Sequence, residues 1–129
     1  MRITGLYVAL GLLLVLVLAV RVVLRRWSAR IGIGDGGDKE LHKRIRAHGN
    51  AVEYLPLGLL ALLLLDLDGT TPLLLHACGI TLIVARVAHA LGLSRTGGTS
   101  PERFVGITLT LLVMLAMAVL LLMQQFARF

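Results

Sequence analysis

The chain has a single cysteine, Cys78, in 129 residues. An intrachain disulfide is therefore impossible, and a dithiol redox pair or a thiolate zinc cluster is excluded with it. Set among Leu, Ala and Ile, Cys78 reads as a small buried hydrophobe. Aromatic residues make up 5% of the chain, too few to interleave with basic residues as base-stacking proteins require. Acidic residues are also scarce: seven Asp and Glu face thirteen Lys and Arg, for a net charge of +6. Without stacking aromatics, that excess is read as membrane topology rather than nucleic-acid binding. No internal repeat or low-complexity linker interrupts the chain. The four histidines have neither cysteine partners nor close ligand spacing, so no metal centre is expected. The Gly-rich stretch Gly32-Ile33-Gly34-Asp35-Gly36-Gly37 lacks a following Gly-Lys-Ser/Thr, and it follows an apolar run rather than a strand. It reads as a hinge before a helix, not as a phosphate cradle.

What the chain does have is apolar residues, 57% of the total against 16% charged. A soluble core of this size has no use for so much leucine, so the excess is assigned to lipid. One domain spanning residues 1–129 is expected, an all-α membrane protein with helices over approximately 3–27, 38–66, 72–94 and 101–127. The first run resembles a signal peptide. It is long, however, and Ala19-Val20-Arg21 is not a small-x-small cleavage site, so a retained helix is expected. Asp68-Gly69-Thr70-Thr71-Pro72 marks the turn between the second and third helices, and Pro101 opens the fourth.

Basic residues set the expected orientation. Arg25, Arg26, Arg30, Lys39, Lys43, Arg44 and Arg46 crowd the first connection, and Arg95 and Arg103 flank the third. The second connection offers only Asp66 and Asp68. Loops one and three are expected on the cytoplasmic side and both termini on the other.

The second helix is the informative one. Its uninterrupted apolar run, Leu55 to Leu65, covers only about 16 Å, whereas a hydrocarbon core of about 30 Å needs roughly 20 residues. Counting back from Asp66 brings Asn50 and Glu53 inside the membrane. On the third helix Arg86 and His89 lie at comparable depth, one turn apart on one face. Charges at such depth are costly and are usually paired or turned towards a cavity. Glu53 with Arg86 is the expected pair, either as a structural lock or as part of a site. His42, Arg46, Asn50 and Glu53 share one stripe within about 80°. Arg46, Asn50, Glu53, Arg86 and His89 are thus expected to form one polar cluster. Arg25 or Arg26 and Arg103 approach it from the first and fourth helices. Guanidinium forks and a carboxylate suit a small polyanionic ligand that also carries an ammonium group. Each residue also has a plainer reading: Arg46 as an interfacial anchor, Asn50 as an interhelical hydrogen bond, His89 as a core histidine.

Two segments carry a family resemblance. Arg46-Ala47-His48-Gly49-Asn50-Ala51-Val52-Glu53-Tyr54-Leu55-Pro56 resembles the second-helix signature of the MAPEG family, membrane-associated proteins in eicosanoid and glutathione metabolism. Ala85-Arg86-Val87-Ala88-His89-Ala90 resembles its third-helix signature. Together with Gly34-Asp35-Gly36-Gly37, the pattern is most similar to the bacterial inner-membrane, YecN-like branch. The resemblance implies a four-transmembrane-helix bundle assembled as a homotrimer, with glutathione as cosubstrate between subunits and a lipophilic small molecule as second substrate. It implies glutathione contacts at Asn50 and Glu53, with Glu53 at the amino group, Arg86 either supporting Glu53 or binding a carboxylate, His89 near the same site, and a thiolate-stabilising role for Arg103. Arg46, Arg25 and Arg26 are added as possible clamps on the ligand's carboxylates.

Two departures bear on catalysis. Prostaglandin-synthesising members carry an arginine at the position of Gly49, and many catalytic members carry a tyrosine at that of Leu93. The expected function is a glutathione-dependent transferase or peroxidase acting on lipophilic electrophiles. The alternative is a non-catalytic binding or scaffold protein of the same family. A small proton-coupled exporter is a more distant reading, because such exporters place an acid in the first helix and none is present there.

Overall fold

The computed structural model describes residues 3–95 and 98–127. They form four helices, α1 Thr4–Ala29, α2 Lys39–Leu67, α3 Pro72–Arg95 and α4 Pro101–Phe126, each long and apolar enough to cross a membrane. Even α3, the shortest at 24 residues, extends about 36 Å, more than the roughly 30 Å of a hydrocarbon core. Thr96 and Gly97, in the loop expected between the third and fourth helices, lie outside the described residues.

Local chemistry explains where the helices begin and end. Arg30 adopts a left-handed conformation (φ 56°) that stops α1 two residues beyond the expected Trp27. Asp38 caps α2, accepting from the backbone N–H groups of Glu40 and Leu41 at 2.9 Å each. Pro72 and Pro101 stand at the first positions of α3 and α4, where the missing N–H has no helical partner to lose. Ser100 caps α4 through the Arg103 N–H.

α2 and α3 form the centre of the bundle. α1 packs mainly on α2 and α4 mainly on α3, so the outer helices occupy opposite corners. The buried positions of α2, namely Leu41, Ala47, Ala51, Leu55, Gly58, Leu62 and Leu65, recur at helical spacing and define a single inward stripe. The core they join contains Tyr7, Leu18, Leu75, Leu82, Val113 and Met117, with Cys78 buried among them as expected. α3 and α4 pack closely at Gly106. A Cβ there would lie 2.6 Å from the backbone nitrogen of His89 and 2.7 Å from the carbonyl oxygen of Ala85. This is the small-residue contact by which membrane helices gain backbone proximity. Elsewhere the usual polarity of a protein surface is inverted. Leu12, Leu13, Leu16, Leu57, Leu111, Leu115 and Leu122 all point outward, as lipid or a neighbouring apolar surface requires.

Candidate functional site

The site is organised around Arg86. Its position on α3 faces the core, and only 1% of the residue is exposed. A guanidinium carries five N–H donors and no acceptor, so each donor must find an oxygen or remain unsatisfied. Arg86 Nη1 donates to Asn50 Oδ1 of α2 at 2.9 Å. The Tyr54 ring lies over the same guanidinium, 5.1 Å from its carbon to the ring centroid, a cation–π contact that offsets part of the cost of burial. Nε and Nη2 are buried with no hydrogen-bond partner. Leaving a buried donor unmade costs about 1–3 kcal/mol, and more when the group is charged. The fold thus hydrogen-bonds one of the three Arg86 nitrogens and leaves two without a partner.

The expected Glu53–Arg86 ion pair is absent: Glu53 is exposed, and no ion pair involves it among the described residues. Helical phase supplies the reason. Tyr54 follows Asn50 by four residues and stands about 40° from it, whereas Glu53 stands about 60° away on the other side. A side chain from α3 that reaches Asn50 beneath Tyr54 leaves Glu53 on the far flank. The stripe anticipated on α2 is therefore split. Asn50 turns inward to Arg86, while Glu53, Arg46 and His42 face outward.

His89 lies one turn along α3 from Arg86 and is 5% exposed, with its backbone against Gly106 of α4. Arg103 precedes Gly106 by three residues, which places it about 4.5 Å nearer the α3–α4 loop. Its Nη1 donates to the Gly98 carbonyl at 3.2 Å. With Thr99, Ser100, Phe104 and Ile107 it lines a hollow of about 230 Å³.

The two remaining arginines are engaged in the α1–α2 loop. Arg25 makes two hydrogen bonds to Asp38 Oδ2, from Nη2 at 2.7 Å and from Nε at 3.1 Å. Arg26 Nη1 donates to the carbonyls of Ile31, Gly32 and Gly34 at 3.4, 3.2 and 2.9 Å. Asp35 strengthens the same loop: Oδ1 accepts from the Gly37 N–H at 3.0 Å, and Oδ2 lies 2.6 Å from His42 Nδ1. The Gly37 amide first, and His42 second, hold the Asp35 carboxyl below its ordinary range; the Leu41 amide and then Arg25 do the same for Asp38. The Gly-rich stretch is thus a folded loop, tied to both helices that it connects.

Sequence reasoning passed over Tyr54 as a working residue, although its spacing of four from Asn50 already placed the two on one face. It also gave His76 no role. His76 Nδ1 lies 2.7 Å from the hydroxyl of buried Tyr7, at the end of the bundle opposite Arg86. Nearby, Asp66 accepts from the Thr4 backbone N–H at 2.8 Å, bringing a carboxylate from α2 to the positive end of α1.

Comparison with known proteins agrees with the four-helix architecture. The profile of the MAPEG family matches residues 4–123, and these include all four helices up to the last turn of α4. The chain belongs to the MAPEG family. Among its relatives is the inner membrane protein YecN of Escherichia coli K12, 39% identical over 90 residues, which are 70% of this chain and 69% of the relative. YecN of Escherichia coli O6:H1 matches to the same extent. The two departures from other members have distinct surroundings. A Cβ at Gly49 would meet nothing within 4 Å, so the position opens on free space beside the outward stripe of α2. Leu93 is buried in the core near the end of α3.

Proposed function

We propose that this MAPEG protein resides in the inner membrane as a homotrimer and binds glutathione beside Arg86, acting as a glutathione-dependent transferase or peroxidase on lipophilic electrophiles. The observation that carries this reading is the buried guanidinium with two nitrogens, Nε and Nη2, left without a hydrogen bond. A fold seldom retains such a charge in a membrane without a use for it. A ligand carboxylate would satisfy both donors in the bidentate fashion that arginine favours. Tyr54 roofs the guanidinium, so the ring must swing aside for the ligand to reach Nε and Nη2. Glu53, exposed in the single subunit, would face the ligand's ammonium group where a second copy covers the outer stripe of α2.

Arg103 takes the role of thiol activator. A guanidinium beside the sulfur favours the charged form, and the thiolate is the attacking species. The thiol proton leaves to solvent, and the sulfur forms a bond to the electrophilic carbon as the leaving group departs with its electron pair. The lipophilic partner would arrive from the bilayer.

The test uses the detergent-solubilised assembly. Calorimetric titration is expected to show glutathione binding, and a model aryl halide is expected to be conjugated. Arg103→Ala should slow turnover while changing glutathione affinity little. Binding without conjugation at any pH would remove the enzyme and leave the second reading, a non-catalytic glutathione-binding protein. The apolar, buried Leu93 favours that second reading, because the position offers no hydroxyl to the thiol.

A further inference from the structure

The cytoplasm-proximal or opposite placement of the loops does not matter for one surface, which lies where α1 leaves the membrane. Measured from Thr4, a hydrocarbon core of about 30 Å is crossed by roughly residue 24. Trp27 and Arg30 therefore lie about one to two turns beyond, at the level of lipid headgroups. The fold shapes that level. Arg26 draws the carbonyls of Ile31, Gly32 and Gly34 back against the end of α1. Between loop and helix a hollow of about 640 Å³ remains, lined by Val23, Arg26, Trp27, Arg30, Ile31 and Gly32.

The lining is two-toned. Val23, Trp27 and Ile31 supply an apolar wall continuous with the membrane-facing side of α1, while Arg26 and Arg30 supply the rim. Trp27 is 74% exposed and Ile33, at the tip of the loop, 94%. An indole at this depth is the usual interfacial anchor, and an isoleucine so fully exposed is costly in water but not against acyl chains. The Arg30 guanidinium has no hydrogen bond or ion pair among the described residues. Its backbone is held in the left-handed region (φ 56°), where glycine is the ordinary choice. Arginine thus stands in a backbone conformation that glycine would adopt with less strain.

We infer that this hollow is a binding site for an anionic phospholipid, its phosphate held by Arg26 and Arg30 and its proximal acyl carbons against Trp27, Val23 and Ile31. Charge complementarity selects the headgroup: two guanidiniums at headgroup depth face no protein carboxylate within the lining. Apolar contact selects a lipid over a soluble anion.

The chain's single tryptophan is Trp27, so its fluorescence reports on this hollow alone. The full chain is reconstituted in bilayers containing brominated phosphatidylglycerol or, at the same mole fraction, brominated phosphatidylcholine, and quenching is measured. The expected result is a relative association constant favouring phosphatidylglycerol by roughly fivefold or more, the scale of one basic side chain at a membrane surface. Arg30→Gly, which relieves the backbone while removing the charge, should bring that preference close to unity. Arg26→Gln should do the same, and Arg95→Gln, at the end of α3, should leave it unchanged. Equal quenching by the two lipids in the wild type would overturn the site. So would a preference that survives Arg30→Gly, or one that falls equally with Arg95→Gln, because either would mean bulk charge rather than this hollow. Loss of the preference in millimolar inorganic phosphate would assign the hollow to a soluble anion instead.

Discussion

At the end of the bundle where α2 turns into α3, the Tyr7 hydroxyl meets His76, the Thr4 hydroxyl donates to the Leu62 carbonyl at 3.2 Å, and Asp66 accepts the first N–H of α1. At the other end, Arg86 is buried as deeply as Tyr7 and yet uses one nitrogen on Asn50 and leaves two unmade. Among the described residues the first end has one comparable atom, Gln124 Oε1, a neutral amide oxygen on a side chain already held by Thr70 at 2.8 Å. The first end buries its polar groups between α1 and its neighbours α2 and α3, the second between α2 and α3. The first closes its hydrogen bonds internally and reads as structure. The second leaves charged donors unmade, and that difference is what the proposed glutathione site rests on.

The comparison is broken most forcefully at Arg86. Arg86→Met should weaken glutathione binding more than about 30-fold, because truncating one partner of a buried charged contact costs about 2–5 kcal/mol. The same change should leave thermal stability in detergent equal or higher, since replacing a poorly paired buried charge by an apolar side chain is often neutral or stabilising. A large loss of stability with little loss of binding would make Arg86 structural and erase the distinction between the ends.

A packing change comes next. Gly106→Val would drive a side chain into the backbone of His89 and Ala85, and overpacking of this kind costs about 1–3 kcal/mol. It should lower the melting temperature and weaken ligand binding together, because Arg103 and His89 move apart. At the opposite end, Tyr7→Phe should cost about 1 kcal/mol of stability through the lost hydroxyl contact, with glutathione affinity unchanged. Affinity that falls with Tyr7→Phe would mean that the two ends are coupled.

The smallest effect is expected in the α1–α2 loop. The Asp35 and Asp38 carboxyls are held below their ordinary values, so their contribution is present above those values and is lost as pH falls through the lowered folded ones. Amide protection of Gly37, Glu40 and Leu41, corrected for intrinsic exchange, should therefore hold at neutral and mildly acidic pH and fall only below the ordinary carboxylate value of 3.8. Protection already lost near pH 6 would place control of the loop elsewhere.

Much of the architecture was legible in the residues. Four apolar stretches of sufficient length, separated by Gly, Asp and Pro signals, read as the four membrane-length helices that the structure contains. The two motif segments identified the family. Side-chain partnership was less legible. Positions three and four apart on a helix share a face too broadly to decide whether Arg86 meets Asn50 or Glu53; the rotation of α2 against α3 decides it, and that rotation comes from the packing of Ala51, Leu55 and Leu82. The Tyr7–His76 contact joins residues 69 apart and leaves no periodic trace. Asp38 was visible as a helix start. Its second partner, Arg25, was not, because a loop's path is set by contacts that the loop must first fold to make.

Arg86 is a ligand-binding residue if its unmade donors meet glutathione once the protein is assembled. A structure of the assembled protein with glutathione tests it most directly. A glutathione carboxylate is expected within hydrogen-bond distance of Arg86 Nε or Nη2, with the Tyr54 ring displaced. Finding both donors taken by Glu53 from a neighbouring copy, with glutathione elsewhere, would contradict it.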